Sequence, residues 1–269
     1  MKMWIGLGAA ALVGLIGPLT PAALAGWGDL KGRIVVEGAV PEAAKLDVNK
    51  DVAVCGRMPL FDESLKVGPD GGLANVVVCL MQSRTKTQTP EVHPSYANLV
   101  ETVPVLDNNA CRFEPHVTVM TTAQKLRITN TDQVGHNANI QSLKNAANPN
   151  IPPGGEIEIA MKGADTAPVK VVCGAHPWMT SILLVRDEPY VAISAETGEF
   201  EIKNLPDGDW TFVFWHERGG RTKEGGYLTG LTQDGKKIGG RLGELEVTIK
   251  DGEVTDLGTL TISAADLTK

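Results

Sequence analysis

Apolar residues in this chain come in short runs cut by turn residues, and that rhythm limits what it can fold into. Residues 73–81 are a nearly continuous apolar run, while residues 155–161 alternate apolar and charged around Ile157 and Ile159. Further strand-like segments lie at 29–37, 112–120, 124–129, 168–173, 180–186, 190–195, 198–203, 210–215, 245–250 and 254–262. Runs of this length and period form strands. The chain has 30 Gly and 16 Pro to supply the turns. Glu196-Thr197-Gly198 and Pro206-Asp207-Gly208 are turn sequences, and Asp251-Gly252 predicts a closing hairpin. The expectation is an all-β protein built from sandwiches. Residues 82–110 read as a long loop with one short helix, and residues 217–243 as a mobile, solvated loop.

The first 25 residues stand apart. Lys2 is their only charge, an apolar run follows from Met3, Pro18 and Pro21 interrupt it, and Ala23-Leu24-Ala25 has the small-x-small form of a cleavage site. Residues 1–25 therefore read as a signal peptide, leaving a periplasmic or secreted chain from Gly26 with no membrane span after cleavage. The net charge of −7 argues against nucleic acid as a partner. Export places the four cysteines where disulfides persist. Cys55 lies in a polar loop, Cys111 opens a strand, and Cys79 sits inside the 73–81 run. A Cys55–Cys111 bridge with Cys79 as a buried thiol is the favoured pairing. The pairings that use Cys79 with either partner stay open.

The chemistry-bearing segment is Cys173-Gly174-Ala175-His176-Pro177-Trp178-Met179, between two strand patterns. A thiolate, an imidazole and a thioether lie within seven residues, and His136 lies upstream at another strand end. Turns at one end of a sandwich meet in space, so His136, Cys173, His176 and Met179 are candidate ligands of one metal. Two imidazoles, one thiolate and a weak thioether form the trigonal blue-copper set. Zinc accepts Cys and His but has little use for Met. A dinuclear copper loop needs a second cysteine where Gly174 and Ala175 stand, and there is no His-x-His pair for a multicopper oxidase. Asp132 reads as part of a solvated turn, and His116 and His216 as structural histidines.

The Cys173–Met179 loop resembles the ligand loop of the cupredoxins, its short spacers the amicyanin branch most closely, and His136-Asn137 resembles the family's first ligand position. The likeness spans roughly residues 112–187. It implies a cupredoxin-like Greek-key β-sandwich holding one type 1 copper ion through His136, Cys173, His176 and Met179. It also implies that Asn137 hydrogen-bonds the thiolate loop. The His176 edge would then break the surface beside Pro177 and Trp178 and pass electrons to protein redox partners. Residues 197–212 resemble the carboxypeptidase regulatory-type module. The arrangement is also similar to secreted methylamine-utilisation-type proteins. The expected domains are the signal peptide, a cupredoxin-like domain with an N-terminal extension at 26–188, and a second, smaller β-sandwich module at 189–269. Arg33–Glu37 is expected to add a first strand to the cupredoxin-like sandwich.

The function expected from these residues is single-electron transfer by a copper protein that is not an enzyme. The alternative is a cell-surface or carbohydrate-binding β-sandwich whose metal site is structural or absent. Copper storage would need exposed clusters of Met or His, and the seven Met are scattered.

Overall fold

The computed structural model describes residues 26–81, 89–220 and 225–268; the predicted signal peptide lies outside them. Strands β1 (Trp27–Glu37) and β2 (Val77–Leu80) come first, with the one-turn helix α1 (Val52–Cys55) between them. A 3-10 helix (Pro94–Glu101) leads to β3 (Val105–Asn109), β4 (Arg112–Glu114), β5 (Val117–Thr121) and β6 (Lys125–Asn130). Next are β7 (His136–Asn137), β8 (Asn139–Ile140), β9 (Asn150–Ile151), β10 (Glu156–Ala160), β11 (Val169–Val172) and β12 (Thr180–Arg186). The chain ends with β13 (Val191–Ile193), β14 (Glu199–Pro206), β15 (Gly208–His216), β16 (Gly226–Tyr227), β17 (Thr232–Gln233), β18 (Lys236–Lys237), β19 (Leu245–Ile249), β20 (Val254–Ser263) and α2 (Ala264–Leu267). No described helix is long and apolar enough to cross a membrane.

One sandwich is inserted into another. Strands β3–β12 form two four-stranded sheets, β10-β6-β3-β4 and β5-β12-β11-β8, plus the short pair β7-β9. The remaining strands form two five-stranded sheets, β14-β1-β20-β17-β18 and β13-β2-β15-β16 with β19 also on β15. The outer sandwich therefore draws on both ends of the chain. This corrects three expectations. Arg33–Glu37 does not join the inserted sandwich: β1 pairs antiparallel with β14 and parallel with β20. The division at residue 188 does not follow the hydrogen bonding, because β1 and β2 belong with the later strands. The second sandwich is also not the smaller one. The reason lies in side-chain packing. Leu30 and Ile34 of β1 bury against Phe200, Ile202, Leu260 and Ile262. Gly32 lets the Phe200 ring close on β1, since a Cβ there would come within 2.8 Å of Cζ.

Three apolar clusters separate the four sheets. The outer core holds Leu73, Val78, Phe212 and Phe214, and the inserted core holds Leu106, Phe113, Leu126, Ile128, Leu183 and Val185. Between the sandwiches Val77 and Cys79 of β2 and Val213 and Trp215 of β15 meet Val117, Ile182 and Leu184. Both β2 and β12 are buried on two faces, which is why their sequences are apolar at successive positions rather than alternating. Burial raises the Cys79 thiol to about 11, so this free cysteine is inert.

The hairpin expected at Asp251-Gly252 is a turn between sheets instead. β19 pairs with β15, and β20 pairs with β1 and β17. Val247 and Ile249 thus enter the outer core from one sheet, and Leu260 and Ile262 from the other. Within 82–110 the strand β3 was not anticipated, its Asp107-Asn108-Asn109 being poor strand formers. Residues 217–243 carry the short strands β16, β17 and β18.

His216 ends β15 and is buried, its Nδ1 accepting from the Arg218 N–H at 3.0 Å. Burial lowers its pKa from 6.5 to about 4. An unfolded chain binds the proton near pH 6.5 while the folded chain resists until about pH 4. The folded state is therefore undiminished above pH 6.5 and weakens as pH falls through that window, by about 3 kcal/mol in all. Urea midpoints of the parent and of His216→Gln from pH 7 to pH 4 check this. The variant should lose the acid slope this histidine supplies, and equal slopes would refute the assignment.

Candidate metal centre

Two turns at the end of the inserted sandwich build the site. In the first, β6 ends at Asn130, whose amide nitrogen donates to the Val134 and Ile151 carbonyls at 2.9 Å. Its Oδ1 accepts from Asp132 N at 3.0 Å, a local bond that fixes the turn and presents His136 on β7. In the second, β11 and β12 pair up to Val172 opposite Thr180, so residues 173–179 span the end of a closed ladder. Cys173 N donates to the Met179 carbonyl at 3.1 Å and Met179 N to the His176 carbonyl at 2.9 Å.

This geometry brings three of the candidate ligands together. The Nδ1 atoms of His136 and His176 are 2.9 Å apart, and Cys173 Sγ lies 3.8 and 3.7 Å from them. All three side chains are buried. Each ring is held from behind: His136 Nε2 is 2.9 Å from Asp132 Oδ2, and His176 Nε2 is 2.8 Å from Asp51 Oδ2. A carboxylate accepts only, so each Nε2 carries a proton, and in the neutral form of such a ring Nδ1 is the nitrogen with the bare lone pair, here facing inward. Two lone pairs and a sulfur then face one point, an arrangement that a cation satisfies. Burial lowers the His136 pKa against the opposing hydrogen bond that Nε2 donates to Asp132, favouring the neutral ring that binds metal.

Asn137 touches the sulfur twice. Its N–H donates to Sγ at 3.5 Å, and its Oδ1 lies 3.5 Å from Sγ while accepting from Ala175 N at 3.1 Å. Met179 is buried in the same apolar cluster as Cys173. Pro177 is exposed. Trp178 packs edge-on against His176 at 5.1 Å between ring centroids and donates to the Cys111 carbonyl at 3.2 Å.

Two expectations are corrected here. His176 does not break the surface: it is 0% exposed, because Asp51 and Trp178 cover it. Asp132 is not in a solvated turn. It is 8% exposed, and its Oδ2 also accepts from Cys111 N at 2.8 Å. A carboxylate four residues before a candidate ligand was the available signal. Asp51 had no local signal: it stands before α1, whose last residue, Cys55, the structure bridges to Cys111 of the inserted sandwich. Cys111, Asp132 and His136 also cluster, but the disulfide removes Cys111 as a thiolate ligand. The other histidines lie apart from the site. His116 Nε2 pairs with Glu217 at 2.7 Å, and His93 caps the 3-10 helix and packs on Trp27.

The fold and site define an all-β protein of two nested sandwiches with a buried two-histidine, one-cysteine cluster in the inserted one. No protein-family model and no curated protein matches the chain. Among solved structures it is similar to a purple cupredoxin from Nitrosopumilus maritimus, at 20% identity and a TM-score of 0.26, over 30% of this chain and 98% of that one. It is similar to an amicyanin variant in its Cu(I) form at 13% identity and a TM-score of 0.28, over 37% of this chain and 94% of that one. It is also similar to a copper-containing nitrite reductase from Thermus scotoductus SA-01, at 15% identity and a TM-score of 0.27. That match spans 39% of this chain and only a quarter of the reductase.

Proposed function

We propose that the chain is an exported mononuclear copper protein that carries single electrons between protein partners and makes no bonds in a substrate. The observation behind this reading is the convergence of His136 Nδ1, His176 Nδ1 and Cys173 Sγ at 2.9 to 3.8 Å. In the proposal these three residues hold a type 1 copper ion, with Met179 as the weak fourth donor. The donor set supports copper over zinc, because thiolate plus thioether suits a metal that cycles between soft and harder states. Bound copper would supply one-electron chemistry. The protein's part is to fix the rings from behind, exclude water and place Asn137 against the sulfur, where its hydrogen bonds tune the potential. The outer sandwich, part of which resembles a carboxypeptidase regulatory-type module, would carry the copper-binding sandwich as an insert. Export from a signal peptide at residues 1–25 belongs to the same proposal.

Adding Cu(II) to the metal-free protein should give an intense visible thiolate-to-copper absorption band. Cys173→Ser should abolish it. A colourless copper complex in the parent, or a band that survives in Cys173→Ser, would overturn the reading.

A further inference from the structure

The connection between β1 and β2 reaches out of the outer sandwich and across the inserted one. It is fastened there by the Cys55–Cys111 disulfide and by burial of Leu60 in the inserted core, while a bridge between Lys45 and Phe61 closes the connection on itself. Asp51 stands at the head of α1 with φ 47° and ψ 38°, in the left-handed region. An aspartate in front of a helix ordinarily gives its carboxylate to the helix N–H groups. Asp51 makes no such side-chain bond. Its Oδ2 lies instead 2.8 Å from His176 Nε2. The ring is buried, whereas the Asp51 side chain is 39% exposed, so this carboxylate stands between the ring edge and water.

We propose that Asp51 is a positioning residue of the metal centre, delivered by a disulfide-fastened strap from the outer sandwich. It fixes the proton of His176 on Nε2, aims Nδ1 at Cys173 Sγ, and covers the edge through which an electron would pass. This rests on the copper reading above. Asp132 performs the matching task for His136 from inside the inserted sandwich. A carboxylate behind a ligating imidazole fixes its tautomer and makes it a stronger donor. The negative charge favours the more highly charged oxidised ion over the reduced one. The centre is thus complete only when a segment of the outer sandwich lies over it.

The test uses the full chain with Asp51→Asn, which keeps an acceptor oxygen and loses the charge, and Asp51→Ala, which loses both. In the metal-free protein, 15N NMR should report His176 protonated on Nε2 in the parent and Asp51→Asn, and a mixture of tautomers in Asp51→Ala. In the copper-loaded protein, Asp51→Ala should weaken Cu(II) about 10–100-fold. If Cu(I) affinity changes less, the reduction potential rises by about 59 mV for each tenfold change in the ratio. Asp51→Asn should raise the potential while keeping the parent's slow release of copper to a chelator. Parental tautomer and potential in Asp51→Ala would overturn the inference, even if its denaturation midpoint fell, because that is the outcome of a merely structural role. A parent that lacks the thiolate band would overturn the copper reading. The metal-free NMR result would still decide whether Asp51 orients the ring.

Discussion

Replacing Cys55 and Cys111 together by serine should cost the folded chain about 4 kcal/mol. The bridge joins residues 56 apart in sequence, and loop-closure entropy for a loop of that size gives this figure. The loss should also be visible locally. Without the bridge, α1 keeps only one turn, with no side-chain cap and no charged residue suited to either end, and so short a helix does not persist unaided. The strap should therefore open before the sandwiches melt. Two measurements follow: guanidinium unfolding of the double variant, and hydrogen exchange at residues 52–56. A midpoint within about 0.5 kcal/mol of the parent would refute the energetic claim. Parental exchange protection at Val54 and at position 55, whose N–H groups both donate to the Asp51 carbonyl in the parent, would refute the local one. The parent should accordingly titrate as one bridge and two free thiols, since the structure has Cys79 and Cys173 unbridged.

What the sequence disclosed and what it hid follow from the range of the forces involved. The loop from Cys173 to Met179 was legible because its donors are close in sequence and lie between two strands that pair directly. His136 was legible by residue type, and its convergence with the loop by the general geometry of sandwiches. The strands β2 and β12 were legible as buried because both faces are covered. Which sandwich β1 joins was not legible. Its half-buried pattern suits any sheet, and its partners β14 and β20 lie over 160 residues away. The same holds for the turn at Asp251-Gly252. A tight turn is a local property, while the choice between a hairpin and a crossing depends on which sheet lacks a strand. Asp132 and Asp51 were missed for a related reason. A carboxylate in a polar stretch reads as solvated until the ring that it meets is in place.

Removing either member of the Arg186–Glu188 pair should be about as damaging as removing the disulfide. Arg186 ends β12 at 2% exposure, and its Nε and Nη2 donate to Glu188 Oε1 at 2.9 and 2.5 Å. The same Nη2 donates to the Leu80 carbonyl at 2.8 Å. Leu80 is the last residue of β2, where the chain leaves the outer sandwich, and Glu188 lies just before β13, where it returns. One guanidinium thus fastens both crossings. Glu188→Gln leaves a buried cation short of its counter-charge, and Arg186→Met leaves a buried carboxylate and the Leu80 carbonyl without their donor. Each should cost about 3–5 kcal/mol. The double variant Arg186→Met with Glu188→Leu removes both charges and should recover much of that loss. It should not reach the parent, because an unpaired buried carbonyl still costs about 1–3 kcal/mol. Urea unfolding of the four proteins measures the coupling directly. Additive losses in the double variant, or single losses under about 1 kcal/mol, would refute the role of this pair and leave the crossings to the apolar layer around Val77, Ile182 and Trp215.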